Sequence, residues 1–142
     1  MKYFLDTNVC IYILKGMYPS AFNKLISHSP SEIKIPAIVK AELIYGAEKS
    51  VKREQNLEMI KNFLLPFEIV PFEDTASVWY GKTRASLEKN GTPIGPNDLI
   101  IAATVLDKQG ILVTNNVKEF SRIDQLNIEN WVELQEMSHN VQ

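Results

Sequence analysis

Four short apolar runs, each followed by a stretch that reads as helix, constrain this chain more than any other feature. "KYFL" (2–5), "EIKI" (32–35), "FEIV" (67–70) and "ILV" (111–113) are too short for buried helices and are rich in β-branched and aromatic residues. The intervening segments predict helices over 8–15, about 19–28, 37–50, 52–64, 73–91 and 96–110. Strands that alternate with helices in this way pair in parallel, because each helix supplies the long crossover that parallel pairing requires. The pattern therefore predicts a three-layer α/β/α domain with a mainly parallel central sheet.

Local signals support the individual elements. Thr7 or Asn8 is able to cap the helix over 8–15, and Pro36 opens the one after "EIKI". Over 73–91, Ala76, Trp79, Thr83 and Leu87 share a face, and Asn90-Gly91 ends the helix. "PNDLIIAATVLDKQG" (96–110) is apolar almost all round, as expected of a helix buried within a domain. "VKEF" reads as a helical turn and "LNIEN" as a last strand. No linker or repeat divides the 142 residues, so residues 1–135 read as one domain and 136–142 as a frayed tail.

In such a fold, strand C-termini and helix N-termini share one edge of the sheet, where ligands sit. Asp6 ends a strand and Asp98 begins a helix. Glu42 lies in the first two turns of the helix after "EIKI", and "TNN" (114–116) follows the strand at 111–113. Four polar segments from distant parts of the chain are thus expected at one edge. Singly, each has a plain structural reading. Asp6 suits a strand-end turn or a cap, Asp98 a helix start that gains about 0.3–1 kcal/mol from the dipole, and Glu42 the rim of an amphipathic helix. Yet Glu42 has Ile38, Val39, Tyr45 and Gly46 as helical neighbours, and Asp98 has Ile101 and Ala102, none of them basic.

Together the three carry more weight. Two carboxylates ~5 Å apart repel by about 3 kcal/mol at an effective dielectric near 20. Three on one edge stay ionised only if a cation offsets them. Oxygen ligands without His or Cys select Mg²⁺ or Mn²⁺, and the two histidines, His28 and His139, fall in a loop-like stretch and in the tail. Such a site activates water for in-line attack on a phosphodiester. The glycine-rich dinucleotide and Walker signatures, the serine elbow and the zinc-protease helix are all missing. An aspartyl-phosphate phosphatase would need a second acid two residues after Asp6, where Asn8 stands.

The formal net charge of −2 argues against holding nucleic acid by bulk charge, and leaves room for a local basic patch or a metal. Lys82 and Arg84, off the apolar stripe of their helix, are candidates for such a patch or simply face solvent. Cys10, the sole cysteine, forms no intrachain disulfide, which suits a reducing cytoplasm. No apolar run approaches the roughly 18–20 residues of a membrane span.

"FLDTNVCIYIL", "IPAIVKAELIYGA", "IGPNDLIIAATVL" and "ILVTNNVKEFSRI…LNIENW" occur in the order seen in PIN-domain ribonucleases. Over about residues 2–131 the chain resembles the VapC-type toxins of bacterial toxin–antitoxin pairs. The resemblance implies a PIN fold, Mg²⁺- or Mn²⁺-dependent endoribonuclease activity on RNA (tRNA among the targets), a small cognate antitoxin in the active groove, and a homodimer. It places Asp6, Glu42 and Asp98 on the family's acidic triad, with Asp6 and Asp98 as the leading metal ligands. Where the family commonly has a fourth acid this chain has Asn116. Either Glu119, one helical turn on, substitutes for it, or the site works with three acids. Asn8 and Thr114 occupy positions that orient ligands or water in the family. A catalytically degenerate binding module of the same fold is the alternative that Asn116 keeps open. Trp79 and Tyr80 are adjacent on one helix, so if one packs inward the other is expected to face outward.

Overall fold

The computed structural model describes residues 1–133; the tail at 136–142, with His139, lies outside the described residues. The strands are β1 (Tyr3–Leu5), β2 (Ile33–Pro36), β3 (Glu68–Val70), β4 (Ile111–Val113) and β5 (Asn127–Glu129). The helices are α1 (Thr7–Leu14), α2 (Pro19–Ile26), α3 (Ala37–Glu48), α4 (Arg53–Leu64), α5 (Asp74–Lys89), α6 (Pro96–Lys108) and α7 (Val117–Phe120). The sheet order is β3-β2-β1-β4-β5, and every pairing is parallel, so the sheet is wholly rather than mainly parallel.

Burial follows from that order. Central β1 and β4 pair in the register Phe4↔Leu112 and Leu5↔Val113, and all four of these side chains are fully buried. Residues on the edge strands β3 and β5 are mostly exposed or half-buried. Lys34 on β2 stands opposite Glu68 on β3, and the two form an ion pair at 2.7 Å. In α6, Leu99 and every residue from Ile101 to Leu106 are buried, as its all-round apolar sequence predicts. Each fully buried Leu, Ile or Val contributes about 1.5–3 kcal/mol, so this helix anchors the core.

The helix ends show where side-chain and backbone bonds override pattern. Asp6, not Thr7 or Asn8, caps α1, and the helix begins at Thr7. At the end of α5, Gly91 takes φ 71°, and the Thr92 amide reaches back to the Leu87 carbonyl at 2.9 Å, as the Asn90-Gly91 pair predicts. The helix over 96–110 stops earlier than expected. Gln109 adopts the left-handed conformation (φ 56°) although Gly110 stands next to it. Gly110 is claimed by packing: a Cβ there would lie 2.4 Å from Phe4 Cε1.

From β1 the chain steps to β2 and β3 on one side, then crosses back through α5 and α6 to β4 and β5 on the other. Between β1 and β4 the winding direction reverses. The C-terminal ends of these two strands therefore open a crevice, the usual ligand position in open parallel sheets.

Candidate active site

Asp6 reaches the crevice as the residue after β1. Its amide donates to the Val113 carbonyl at 2.9 Å, extending the β1–β4 ladder by one bond. Its side chain then turns into α1, where Oδ1 accepts from the Thr7 amide at 2.8 Å. Oδ2 accepts from Thr114 Oγ1 at 2.7 Å. Thr114 is fully buried one residue beyond β4, and its hydroxyl oxygen accepts the Asn116 amide at 2.9 Å. That acceptance leaves the hydroxyl proton for Asp6. Burial raises the Asp6 carboxyl above its ordinary range; the donations from Thr114 and Thr7 pull it down, and the charge of Glu42 adds to the rise.

Glu42 arrives from the second turn of α3 and is half-buried. Its Oε1 accepts from Thr7 Oγ1 at 2.6 Å, and Oε2 from Asn97 Nδ2 at 3.4 Å. Thr7 thus serves two acids, its amide holding Asp6 and its hydroxyl holding Glu42. Glu119 stands on the single turn of α7, where Asn116 Nδ2 donates to its Oε2 at 3.0 Å.

Asp98 lies in the first turn of α6, behind Pro96. Among the described residues its carboxylate accepts no hydrogen bond. Burial, and after it the charges of Asp6, Glu119 and Glu42, together push its carboxyl up to about 6. Asp98 is the group on which the other three acids all act, which makes it the electrostatic centre of the cluster.

The fold thus brings Asp6, Glu42 and Glu119 within electrostatic reach of Asp98, and Glu42 within reach of Asp6, with Thr114 bonded to Asp6 and Asn116 to Glu119. Asn8 is exposed on α1 and makes no hydrogen bond among the described residues. The bridging part falls instead to Thr7, one residue earlier, and Asn97 adds a donor beside Asp98. Neither was marked by sequence reasoning as a site residue. The available signal was position alone: each is adjacent in sequence to a site acid, at a helix start on the functional edge. Arg84 is tied to Glu88 at 3.0 Å and to the Tyr80 hydroxyl at 3.0 Å, so it is not free to meet a phosphate.

Among the described residues no three acids, histidines or cysteines already enclose a common point as a metal cage does. Ligation would require the side chains of half-buried Asp98 and Glu119 to rotate. In chemistry the set fits a hard divalent cation: the donors are all carboxylate oxygens, and the concentrated negative charge has no basic side chain to offset it. His28 is stacked on Trp131, ring centroids 5.5 Å apart, and belongs to an aromatic cluster with Tyr3.

The family model for the PIN domain matches residues 3–126. The chain belongs to the PIN-domain family. This PIN domain is 44% identical over 132 residues to the ribonuclease VapC2 of Rickettsia felis, covering 92% of this chain and 98% of that protein. It is 38% identical over 131 residues to the tRNA(fMet)-specific endonuclease VapC of Salmonella typhimurium, covering 92% and 98%. Its fold superposes with a TM-score of 0.87 on a chain of R. felis VapBC2 bound to a DNA fragment from its promoter, at 42% identity over 92% of this chain and 99% of that one. DNA-bound VapBC of S. typhimurium gives the same TM-score at 37% identity, covering 92% and 98%. The four acids of the PIN domain therefore lie within the matched region.

Proposed function

We propose that this chain is the endoribonuclease toxin of a toxin–antitoxin pair, hydrolysing RNA phosphodiesters at a site that takes Mg²⁺, with Mn²⁺ as substitute. One observation carries the reading: four acids from four separate segments converge where the sheet reverses direction, and Asp98 at their centre is held up to about 6. The convergence is costly to the fold and suits a cationic ligand and a phosphate. Identity of 44% and 38% to proteins named as a ribonuclease and a tRNA(fMet)-specific endonuclease supports the same activity, and makes tRNA the first substrate to try.

Asp6 and Asp98 would hold the ion, Asp6 fixed by its two donors and Asp98 free to turn. Bound there, the ion would supply Lewis-acid polarisation of the phosphate and a more acidic water. Glu42, aimed by Thr7 and Asn97, would orient the attacking water and take its proton. Glu119, held by Asn116, is the fourth acid in a position where Asn116 itself bears no charge. That bond argues for substitution by Glu119 over a degenerate site.

A groove of about 540 Å³ runs from Glu42 between α1, α3 and α4, lined by Ile11, Leu14, Leu43, Met59 and Ile60. It offers an apolar seat for the antitoxin, as the VapBC assemblies of the structural relatives suggest. Among the described residues no helix is long and apolar enough to cross a membrane, consistent with action in the cytoplasm.

The test is cleavage of bulk tRNA by antitoxin-free protein. Activity is expected with Mg²⁺ or Mn²⁺, to vanish in EDTA, and to fall at least about 100-fold in Asp98→Asn, the scale of losing a charge-stabilising group. Undiminished cleavage in EDTA or in the variant would sink the mechanism.

A further inference from the structure

One polar cavity shares no residue with the acidic site. It has a volume of about 360 Å³ and lies between α5 and the turn at 121–125 that joins α7 to β5. Trp79, Lys82, Asn90, Arg122 and Gln125 form much of its wall, with Asp124 also lining it. Its size falls in the roughly 300–1,000 Å³ range of small-molecule sites, enough for one nucleotide.

Arg122 ties this cavity to the acids. It follows Glu119 by three residues, and its Nη1 donates to the Pro93 carbonyl at 3.1 Å. Pro93 belongs to the loop that leads into α6 and delivers Asp98. Arg122 therefore joins the two segments that carry Asp98 and Glu119, with its cation on the cavity side.

Charge and shape point to the occupant. Lys34, Arg53, Arg84 and Lys108 are each paired with a glutamate. Lys82 and Arg122 enter no ion pair among the described residues. Against the lone Asp124 they leave the cavity positive in a chain of net charge −2. Such a chain must hold an RNA backbone with local cations. The half-buried Trp79 adds an aromatic surface, and the amides of Asn90 and Gln125 add donors and acceptors. Unpaired RNA bases are recognised by this combination of an aromatic stacking surface, amides for base edges and cations for phosphate.

We propose that this cavity seats one unpaired nucleotide of the bound RNA, with Lys82 and Arg122 on its phosphate and Trp79 against its base. The inference rests on the ribonuclease reading and assigns these three as positioning residues.

Steady-state cleavage of a single-stranded RNA that the wild-type protein cuts tests it. Lys82→Ala is expected to raise KM about tenfold with kcat within about twofold, and to flatten the slope of log KM against log salt by about 0.7. Arg122→Lys should fall between wild type and Arg122→Gln. Binding without cleavage gives a second readout. In EDTA, the same RNA should quench wild-type tryptophan fluorescence, and the quench should be lost in Trp79→Phe, which leaves only the buried Trp131. Full cleavage with unchanged KM in Lys82→Ala would overturn the cavity assignment and leave the ribonuclease reading standing. Unchanged KM for RNA with weakened antitoxin binding would overturn it too, by giving the cations to the protein partner. No cleavage by the wild type would remove both readings.

Discussion

Asp98 carries the largest electrostatic cost resolved in the cluster, and its pH behaviour is the clearest signature of the site. Its carboxyl is raised to about 6, above the ordinary aspartate value. Between the unfolded value near 4 and about 6, the folded protein binds more protons than the unfolded chain, so stability falls as pH rises through that window and levels off above it. The shift corresponds to ~3 kcal/mol in full, but Asp98 is only half-buried, and screening cuts this to about 1 kcal/mol. In EDTA at pH 7.5, Asp98→Asn should therefore be more stable than the parent by about 1 kcal/mol, with the gap closing below pH 4 in urea melts. A variant that is inactive and yet more stable is the mark of a carboxylate held for chemistry. The three acids Asp6, Glu42 and Asp98 were legible from the sequence because topology alone sends them to one edge. Thr7 and Asn97 were not, because their bonds to Glu42 depend on how α1, α3 and α6 pack together.

At the scale of elements, hydrophobic period located all five strands and seven helices of the described residues, and the wholly apolar α6 was the most readable of them. Boundaries slipped where a side chain or a packing contact decided them. Asp6 became the cap of α1 because the same carboxylate that faces Thr114 also accepts the Thr7 amide. Gln109 takes the left-handed turn, and the ring of Phe4 occupies the space a side chain at 110 would need. Gly110→Ala is accordingly expected to cost about 1–3 kcal/mol, as overpacking does, read as a lower midpoint in urea with unchanged slope. A midpoint equal to that of the parent would mean that Phe4 moves aside freely. Neither Trp79 nor Tyr80 packs fully inward, so the condition for one to face outward does not arise: both are half-buried, Trp79 beside the polar cavity and Tyr80 against Phe72 and Arg84. Adjacent residues on a helix differ by about 100°, which allows both to lie along the flank of a groove.

For the whole molecule, the PIN domain sets an apolar groove against its acidic crevice at Glu42 and a cationic cavity along α5. The groove meets the crevice at Glu42, so a partner lying in it would cover the acids without touching Lys82 or Arg122. A homodimer remains the assembly proposed from the family resemblance, and exposed Val78 and Phe72 are the apolar groups near α5 that such a contact would cover. Light scattering at micromolar concentration should then give twice the 16.2 kDa of one chain; a single-chain mass would exclude it. The central claim, that Asp6, Glu42, Asp98 and Glu119 act as one cation site, is tested most directly by Mn²⁺ titration followed by electron paramagnetic resonance. The account predicts saturable binding by the antitoxin-free protein, competed by Mg²⁺, and weakened at least about tenfold by Asp6→Asn and by Asp98→Asn. Equal Mn²⁺ binding by both variants and the parent would contradict it.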